Sequence, residues 1–151
     1  MHRKVHQALI AARKTLAIGE SCTGGAIAAS LVEIPDASLF LLGSLVVYSN
    51  EWKEKFLLVR KVTLQAKGAV SPEVVTEMVQ GLFSQTTADF VLAVSGELGV
   101  VGSRAFVGVG KRGEKIEVEA IAPPAERLAG IHFTVQAALT TLFRRLPRVR
   151  T

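Results

Sequence analysis

Cysteine and aromatic residues are scarce in this chain of 151 residues. It has one cysteine, Cys22, and its aromatic residues are seven Phe, one Trp and one Tyr. A single cysteine excludes an internal disulfide framework and suits a reducing compartment, so we expect a cytoplasmic protein. Faces that bind nucleic acid typically interleave basic side chains with aromatic ones, whereas seven of the nine aromatic residues here are Phe in apolar runs, so we do not expect a nucleic-acid partner.

Long hydrophobic runs and metal-ligand clusters are also missing. The longest stretch without a charged residue, 128–143, contains His132 and Gln136 and is too short and too polar to span a membrane. No apolar segment of the secretory type follows the basic start of the chain. The three histidines are scattered, and no cysteine or acidic cluster completes a metal site. We therefore expect no membrane partner, no metal and no cofactor.

Positive charge is concentrated at the end of the sequence. The chain has 18 Lys and Arg against 13 Asp and Glu, a net charge of +5, and four of the arginines fall within 144–151. We expect residues 144–151 to form a basic, solvated and frayed tail on a single domain that spans residues 1–151. Association of this tail with nucleic acid is a less favoured alternative, which would show a strong salt dependence.

Hydrophobic periodicity predicts an alternation of helices and strands. The predicted helices span 5–13, 26–32, 51–58, 74–84 and 125–143, and the predicted strands span 15–18, 43–48, 90–95, 105–110 and 115–121. Ser71 and Pro72 supply the N-cap and the first residue of the fourth helix. A short turn joins the last two strands, which predicts an antiparallel hairpin. Together these features indicate a layered α/β domain with a mixed β-sheet.

The most informative segment is GESCTGG at 19–25, which follows a predicted strand and opens a helix. Glycine allows the backbone to approach a ligand closely, and free amides at a helix N-terminus favour an anion or a developing oxyanion. A serine at such a turn, Ser21, can face a substrate. A turn with a purely structural role is an equally common use of this composition.

A second polar segment follows the next predicted strand. Its Tyr48 and Lys53 belong at the same sheet edge as Ser21, because open α/β sheets bind ligands outside the carboxyl ends of their strands. A lysine with a lowered pKa can take the proton of a serine, and Tyr48 can pass that proton or orient the base. The structural alternatives are a solvent-facing Lys53, a Tyr48 that fills the strand end, and capping of the next helix by Ser49 or Asn50.

These motifs resemble the CinA C-terminal domain family, whose members include nicotinamide-mononucleotide deamidases. The resemblance rests on the hexapeptide ESCTGG at 20–25, which is highly specific to that family, and on YSN at 48–50 with Lys53, GAVS at 68–71 and SG at 95–96. It implies a three-layer α/β/α fold. It also implies hydrolysis of the nicotinamide carboxamide to nicotinate mononucleotide and ammonia without a metal.

The resemblance further implies that Ser21 is the nucleophile and that Lys53 and Tyr48 assist it. The turn amides would hold an oxyanion or a phosphate. The neighbouring Cys22 has no histidine partner in the sequence, so we interpret it as a packing residue. The expected substrate-binding residues are Glu20, Thr23, Gly24, Gly25, Asn50, Arg104 and Arg127. Two other roles remain open for Glu20, which are orienting Lys53 and capping the turn.

The sequence departs from the family pattern after Gly96. An apolar segment over 100–106, in which Arg104 is the only charge, replaces proline-framed and paired-glycine elements. Arg127 fits the first arginine of a family pair near the last helix, but the second falls on Ile131. We therefore expect weak or absent activity on nicotinamide mononucleotide, and the alternative is a catalytically degenerate module of the same fold that binds a ligand or supports assembly. The expected partners are a small nucleotide and further copies of the chain.

Overall fold

A computed structural model describes residues 1–148 and shows a mixed sheet with helices on both of its faces. The five strands are β1 (Leu16–Glu20), β2 (Leu41–Val46), β3 (Phe90–Glu97), β4 (Arg104–Lys111) and β5 (Glu117–Ile121). Their spatial order is β2-β1-β3-β4-β5. β1 is parallel to β2 and β3, whereas β4 is antiparallel to both of its neighbours. The predicted mixed sheet and hairpin are confirmed.

The part of the chain that the structure describes contains six α-helices. They are α1 (His2–Ala12), α2 (Ala26–Val32), α3 (Asn50–Leu57), α4 (Lys61–Lys67), α5 (Pro72–Gln85) and α6 (Arg127–Arg145), and a short 3-10 helix, Ala37–Leu39, precedes β2. Hydrophobic periodicity did not predict α4, because a helix of seven residues with one buried leucine, Leu64, leaves too short a pattern. The other five helices lie where they were predicted.

Two apolar cores, one on each face of the sheet, produce the three layers. On one face, side chains of α1, α2 and α6 such as Leu9, Ile27 and Leu139 pack against β1 and β3. On the other face, α3, α4 and α5 contribute Leu57, Leu64 and Met78. The predicted three-layer α/β/α architecture is confirmed, and it leaves the carboxyl ends of β1, β2 and β3 at one common edge of the sheet.

Capping side chains determine where several helices begin. The Ser71 hydroxyl accepts the Val74 amide at 3.3 Å at the start of α5, as predicted. At the last helix, the Glu126 carboxylate accepts the amides of Leu128 and Ala129. Because that cap satisfies the first free amides, α6 begins two residues later than the periodicity indicated.

The structure corrects the prediction of a frayed basic tail. Arg144 and Arg145 belong to the last turn of α6 and form ion pairs with acidic residues of β5 and of the hairpin turn, among them Glu119 and Glu117. These contacts hold the end of α6 against the sheet. Residues 149–151 of the predicted tail lie outside the described residues. No helix within residues 1–148 is both long enough and apolar enough to cross a membrane.

Candidate active site

Ser21 lies in the tight turn that follows β1. Its amide donates to the Val94 carbonyl at 3.1 Å, and its own carbonyl accepts the Gly24 amide at 3.1 Å. Gly24 and Gly25 complete the turn with φ values of 58° and 98°, a left-handed conformation that favours glycine. The serine backbone is thereby fixed between β1 and α2, and its side chain is buried.

Lys53 reaches Ser21 from the first turns of α3. The helix is capped by Ser49, which accepts the Trp52 amide at 3.2 Å, as one structural alternative for this segment had proposed. Lys53 is 1% exposed, and its Nζ lies 3.0 Å from Ser21 Oγ. The expected meeting of the two side chains is therefore observed, and a solvent-facing Lys53 is wrong.

Two backbone carbonyls fix the direction of the lysine amine. Lys53 Nζ donates to the Val47 carbonyl at 3.1 Å and to the Tyr48 carbonyl at 3.0 Å. A protonated amine would donate its third hydrogen to Ser21 Oγ. A neutral amine with the same two carbonyl bonds would instead direct its lone pair at Ser21, because a tetrahedral nitrogen has one position left. Sequence patterns give no signal for these carbonyls, since any residue can supply them.

Burial lowers the pKa of Lys53 to about 8, since desolvation disfavours the ammonium form. At neutral pH about a tenth of the lysine is then uncharged, compared with less than about a thousandth for an ordinary lysine. A lysine in this state can accept a proton from a hydroxyl in contact with it.

The Tyr48 side chain takes a different place from the one the sequence indicated. Its ring is 61% exposed, so it does not fill the strand end. Its hydroxyl accepts a hydrogen bond from Arg127 Nη2 at 3.0 Å, and within residues 1–148 it has none with Ser21 or Lys53. Tyr48 holds the lysine through its backbone carbonyl, while its side chain connects the end of β2 with α6.

Glu20 is a helix-capping residue, which corrects the prediction that it binds substrate. It is fully buried, and its carboxylate accepts four hydrogen bonds. The donors are the hydroxyls of Thr23 and Ser44 and the amides of Ile27 and Ala28, at 2.7 to 3.1 Å. Four donors fill the acceptor positions of a carboxylate, so none remains for a ligand or for Lys53.

The turn keeps backbone donors near Ser21. Within residues 1–148, the amides of Cys22, Thr23 and Gly25 donate to no backbone carbonyl, whereas Gly24 donates to Ser21. These amides are the candidates for holding an anion. The Thr23 side chain is buried and is used by Glu20, so only its amide is available. Burial raises the pKa of the Cys22 thiol to about 12, which agrees with a packing role.

Arg127 opens α6 and lies across the site from the lysine. Its Nη1 donates to the Leu98 carbonyl at 3.0 Å, in addition to the bond from Nη2 to Tyr48. Gly99 has a φ of +86°, and a side chain there would come within about 3.2 Å of three Arg127 atoms. The arginine therefore connects the turn after β3 to the end of β2, a link that sequence analysis missed.

The remaining predicted binding residues, Arg104 and Asn50, form no hydrogen bond with Ser21 or Lys53 within residues 1–148. Arg104 begins β4 opposite Glu97, and its side chain is exposed. Asn50 is exposed at the start of α3, and Ile131 packs half-buried against the core. The segment that departs from the family pattern spans 100–106 in the sequence. Its residues from Arg104 onward belong to β4, so only 98–103 form the turn between β3 and β4. Within the described residues, no group of three His, Cys, Asp or Glu could hold a metal.

The fold and the site together define an α/β protein with a buried serine–lysine pair at the carboxyl edge of its sheet. Comparison with known proteins gives the family. The family model of the CinA C-terminal domain, which describes the sequences of that family, matches residues 1–146, and the chain belongs to this family.

Solved structures and curated relatives agree with this assignment. A CinA superfamily protein from Klebsiella pneumoniae 700603 superposes with a TM-score of 0.88 at 32% identity, covering 95% of this chain and 94% of that one. A competence-damage inducible protein of Moorella thermoacetica is 38% identical over 147 residues, which cover 92% of this chain and 35% of that protein. A CinA-like protein of Thermotoga maritima is 47% identical over 90 residues, 60% of this chain and 22% of that protein. The chain spans only about a fifth to a third of the length of such curated relatives.

Proposed function

We propose that the chain is an amidohydrolase that deamidates nicotinamide mononucleotide to nicotinate mononucleotide and ammonia, with Ser21 as the nucleophile. The observation that carries the proposal is the 3.0 Å contact between Lys53 Nζ and Ser21 Oγ in a buried site. The lowered pKa of Lys53 supports its role as the base. Membership of the CinA C-terminal domain family supports the reaction class.

In the proposed reaction, neutral Lys53 takes the proton of Ser21 as Oγ attacks the carboxamide carbon. The developing oxyanion is stabilised by amides of the turn, for which those of Cys22, Thr23 and Gly25 are available. The C–N bond then breaks, and Lys53 returns the proton to the leaving ammonia. Water hydrolyses the resulting ester by the same exchange of protons, which frees Ser21 and the carboxylate product.

The surroundings of the pair favour oxygen over sulfur as the nucleophile. The thiol of Cys22 is adjacent in sequence, but with a pKa of about 12 it is protonated at neutral pH. Thiolate, not thiol, is the nucleophilic form of cysteine. Lys53 Nζ, in contrast, contacts the Ser21 hydroxyl directly.

We further propose that this reaction takes place in the cytoplasm, because its substrate would be a pyridine nucleotide.

The test is release of ammonia from nicotinamide mononucleotide by the purified chain. Ser21→Ala should reduce turnover by roughly 10³-fold or more, as expected for loss of a covalent nucleophile. Cys22→Ala is the matched control, because it changes the adjacent buried residue and should retain most of the activity. Equal losses in both variants would transfer the nucleophile to the thiol, and full activity of Ser21→Ala would refute the assignment.

A second candidate function is binding without turnover, or support of assembly. The altered segment over 100–106 favours it, because it replaces the elements that the family resemblance would expect to hold the nucleotide. Binding of nicotinamide mononucleotide to the chain without any release of ammonia would favour this candidate over the amidohydrolase.

A further inference from the structure

A groove between α1 and the end of α6 lies apart from the residues that the proposed reaction uses. Its volume is about 730 Å³, a size typical of small-molecule sites. The wall on α6 begins at Phe143, about 24 Å along that helix from Arg127, because an α-helix rises about 1.5 Å per residue. Arg127 belongs to the candidate active site, so the groove is a separate cavity.

One face of α1 forms the first wall of the groove. Lys4, Ala8 and Ala11 are spaced by four and then three residues, and they therefore share one side of the helix. From Lys4 to Ala11 this wall is about 10 Å long. The two alanines carry only a methyl group each, which leaves room for a ligand between the helices.

The opposite wall is apolar and follows from the way α6 ends. The Leu146 amide donates to the Phe143 carbonyl at 3.3 Å, and Pro147 follows, which cannot continue a helical hydrogen-bond pattern. Leu146 is buried, whereas the Phe143 side chain is 37% exposed. Phe143 and Pro147 thus offer the groove an apolar surface that a ligand can cover.

Positive charge surrounds this apolar surface. Lys4 lies on the α1 wall, and Arg144 and Arg148 lie on the opposite wall. None of the nine residues that line the groove is acidic. Arg144 forms an ion pair with Glu119 at 3.3 Å, but a guanidinium has five N–H donors and keeps others for a ligand. Because like charges on one cavity repel each other, a bound anion would be stabilised there and a bound cation would not.

We propose that this groove binds a small amphipathic anion, specifically a carboxylic acid with an apolar chain. Its carboxylate would lie near Lys4 and Arg148, and its chain would lie along Ala11 and Phe143. A carboxylate suits these cations because ammonium and guanidinium groups donate charge-assisted hydrogen bonds to it. An inorganic anion would leave the apolar walls uncovered, and an uncharged apolar molecule would leave the cations without a partner. A ligand with both parts matches both features of the groove.

The test is isothermal titration calorimetry of the purified chain with octanoate, whose extended chain is similar in length to the α1 wall. We expect saturable binding of one octanoate per chain. Octyltrimethylammonium has the same apolar tail and the opposite charge, and it should bind at least about tenfold more weakly. Salt should weaken octanoate binding, since the cations of the groove are exposed. Absence of saturable octanoate binding, or equal binding of the two compounds, would overturn the proposal.

A charge reversal on α1 locates the binding. Lys4→Glu should raise the dissociation constant of octanoate by roughly fivefold or more, because it places a negative charge in the groove. Arg3→Glu is the matched control, since Arg3 is the neighbouring exposed cation of α1 and does not line the groove. It should change the constant by less than about twofold. Equal effects of the two variants would show a general attraction between charges and would contradict a defined site.

A second variant fills the groove and leaves its charge unchanged. Ala11 is exposed, so Ala11→Phe adds a large side chain outside the core, and the thermal unfolding midpoint should not fall. Octanoate should then bind at least about tenfold more weakly, because the ring takes the place of the apolar chain. A folded Ala11→Phe variant that binds octanoate with unchanged affinity would place the ligand elsewhere and refute the proposal.

Other occupants of the groove would give different results. Octanoate binding that appears only after residues 149–151 are removed would assign the groove to the end of the chain itself. A dimer that octanoate dissociates, measured by sedimentation, would assign it to a second copy. Either result would overturn the proposal. None of these measurements uses enzymatic activity, so the inference stands or fails independently of the proposed function.

Discussion

The two sides of the candidate site differ in how firmly their functional groups are held. On the side of β1 and β2, Ser21 and Lys53 are buried and in direct contact, and two backbone carbonyls fix the amine. On the side of β4 and α6, Arg104 is exposed, and Arg127 donates hydrogen bonds to the Leu98 carbonyl and the Tyr48 hydroxyl. The side chains on the first side are in contact without any ligand, whereas Arg127 on the second side would have to exchange its present partners to bind a phosphate.

This difference separates reaction type from substrate choice. The proposed base and nucleophile are already held in contact in a buried site, so they need little reorganisation when a substrate arrives. A phosphate, in contrast, needs donors that are fixed in position and free of other partners. Arg127 is fixed but already has two partners, whereas Arg104 is exposed and has no side-chain hydrogen bond within residues 1–148. We therefore expect substitutions on the lysine side to reduce kcat, and substitutions on the arginine side to raise KM.

The largest expected effect on the rate of the proposed reaction is that of Lys53→Met, on the side of β1 and β2. Loss of the proposed base should reduce kcat by roughly 10²- to 10⁴-fold, while KM changes little. Lys55→Met is the matched control, because Lys55 is an exposed lysine on the same helix. The measurement is steady-state release of ammonia. A loss confined to KM would show that Lys53 binds substrate and does not act on Ser21.

The next effect is the dependence of the reaction on pH. In the proposed reaction the neutral form of Lys53 is the base, so kcat/KM should rise with pH and level off above the pKa of about 8. Between pH 6 and pH 8 the expected increase is roughly 50-fold. A rate profile that is flat across this range in a kinetically competent preparation would contradict the role of Lys53.

The same pKa also predicts a change in stability. From pH 8 to the ordinary lysine value of 10.5, the folded chain has released the proton while the unfolded chain still holds it. The unfolded state then binds more protons, so the free energy of unfolding rises with pH in this window relative to Lys53→Met. Urea unfolding of both proteins on the two sides of pH 8 measures the difference. A difference that falls as the pH rises would reverse the assigned direction of the pKa shift.

On the other side of the site, the effect expected from Arg127→Ala is smaller than that of Lys53→Met. If Arg127 contacts a phosphate, its loss removes a charge-assisted bond of about 1.5–3 kcal/mol, or about 10- to 150-fold in KM. Tyr48→Phe separates the two roles of the arginine, since it removes only the hydroxyl partner. A Tyr48→Phe variant with the same defect as Arg127→Ala would show that the link, and not phosphate binding, is what matters.

The smallest effect is expected for Arg104→Ala. An exposed cation is screened by water and salt, so its loss should raise KM by at most about fivefold. The increase should disappear at high ionic strength, which is a property of a solvent-exposed charge. Measurement of KM at low and high salt tests this, and a large effect that salt does not change would mean that Arg104 closes onto the ligand.

Local patterns in the sequence predicted most of the fold and the core of the site. The hexapeptide at 20–25 and the alternation of strands and helices placed Ser21, Tyr48 and Lys53 at one sheet edge. The same patterns were less informative wherever a side chain had several possible partners. Glu20 could bind substrate, orient the lysine or cap the turn, and only its four donors in the folded chain decided for the cap. The basic residues at the end of α6 looked like a tail because their acidic partners lie 25 to 31 positions away.

The sequence by itself determined the described strands and all of the described α-helices except α4, the turn that carries Ser21, and the family, because these depend on periodicity and on residues close together in the chain. The tertiary structure decided how the site is held. The Lys53 amine meets Ser21 across 32 positions, and Arg127 meets Tyr48 across 79. It also decided that β2 lies at an open edge, since strand order is a property of the whole sheet. Burial, hydrogen bonds between distant residues and the pKa of a lysine arise only when the chain has folded, and for this reason the composition of a segment does not reveal them.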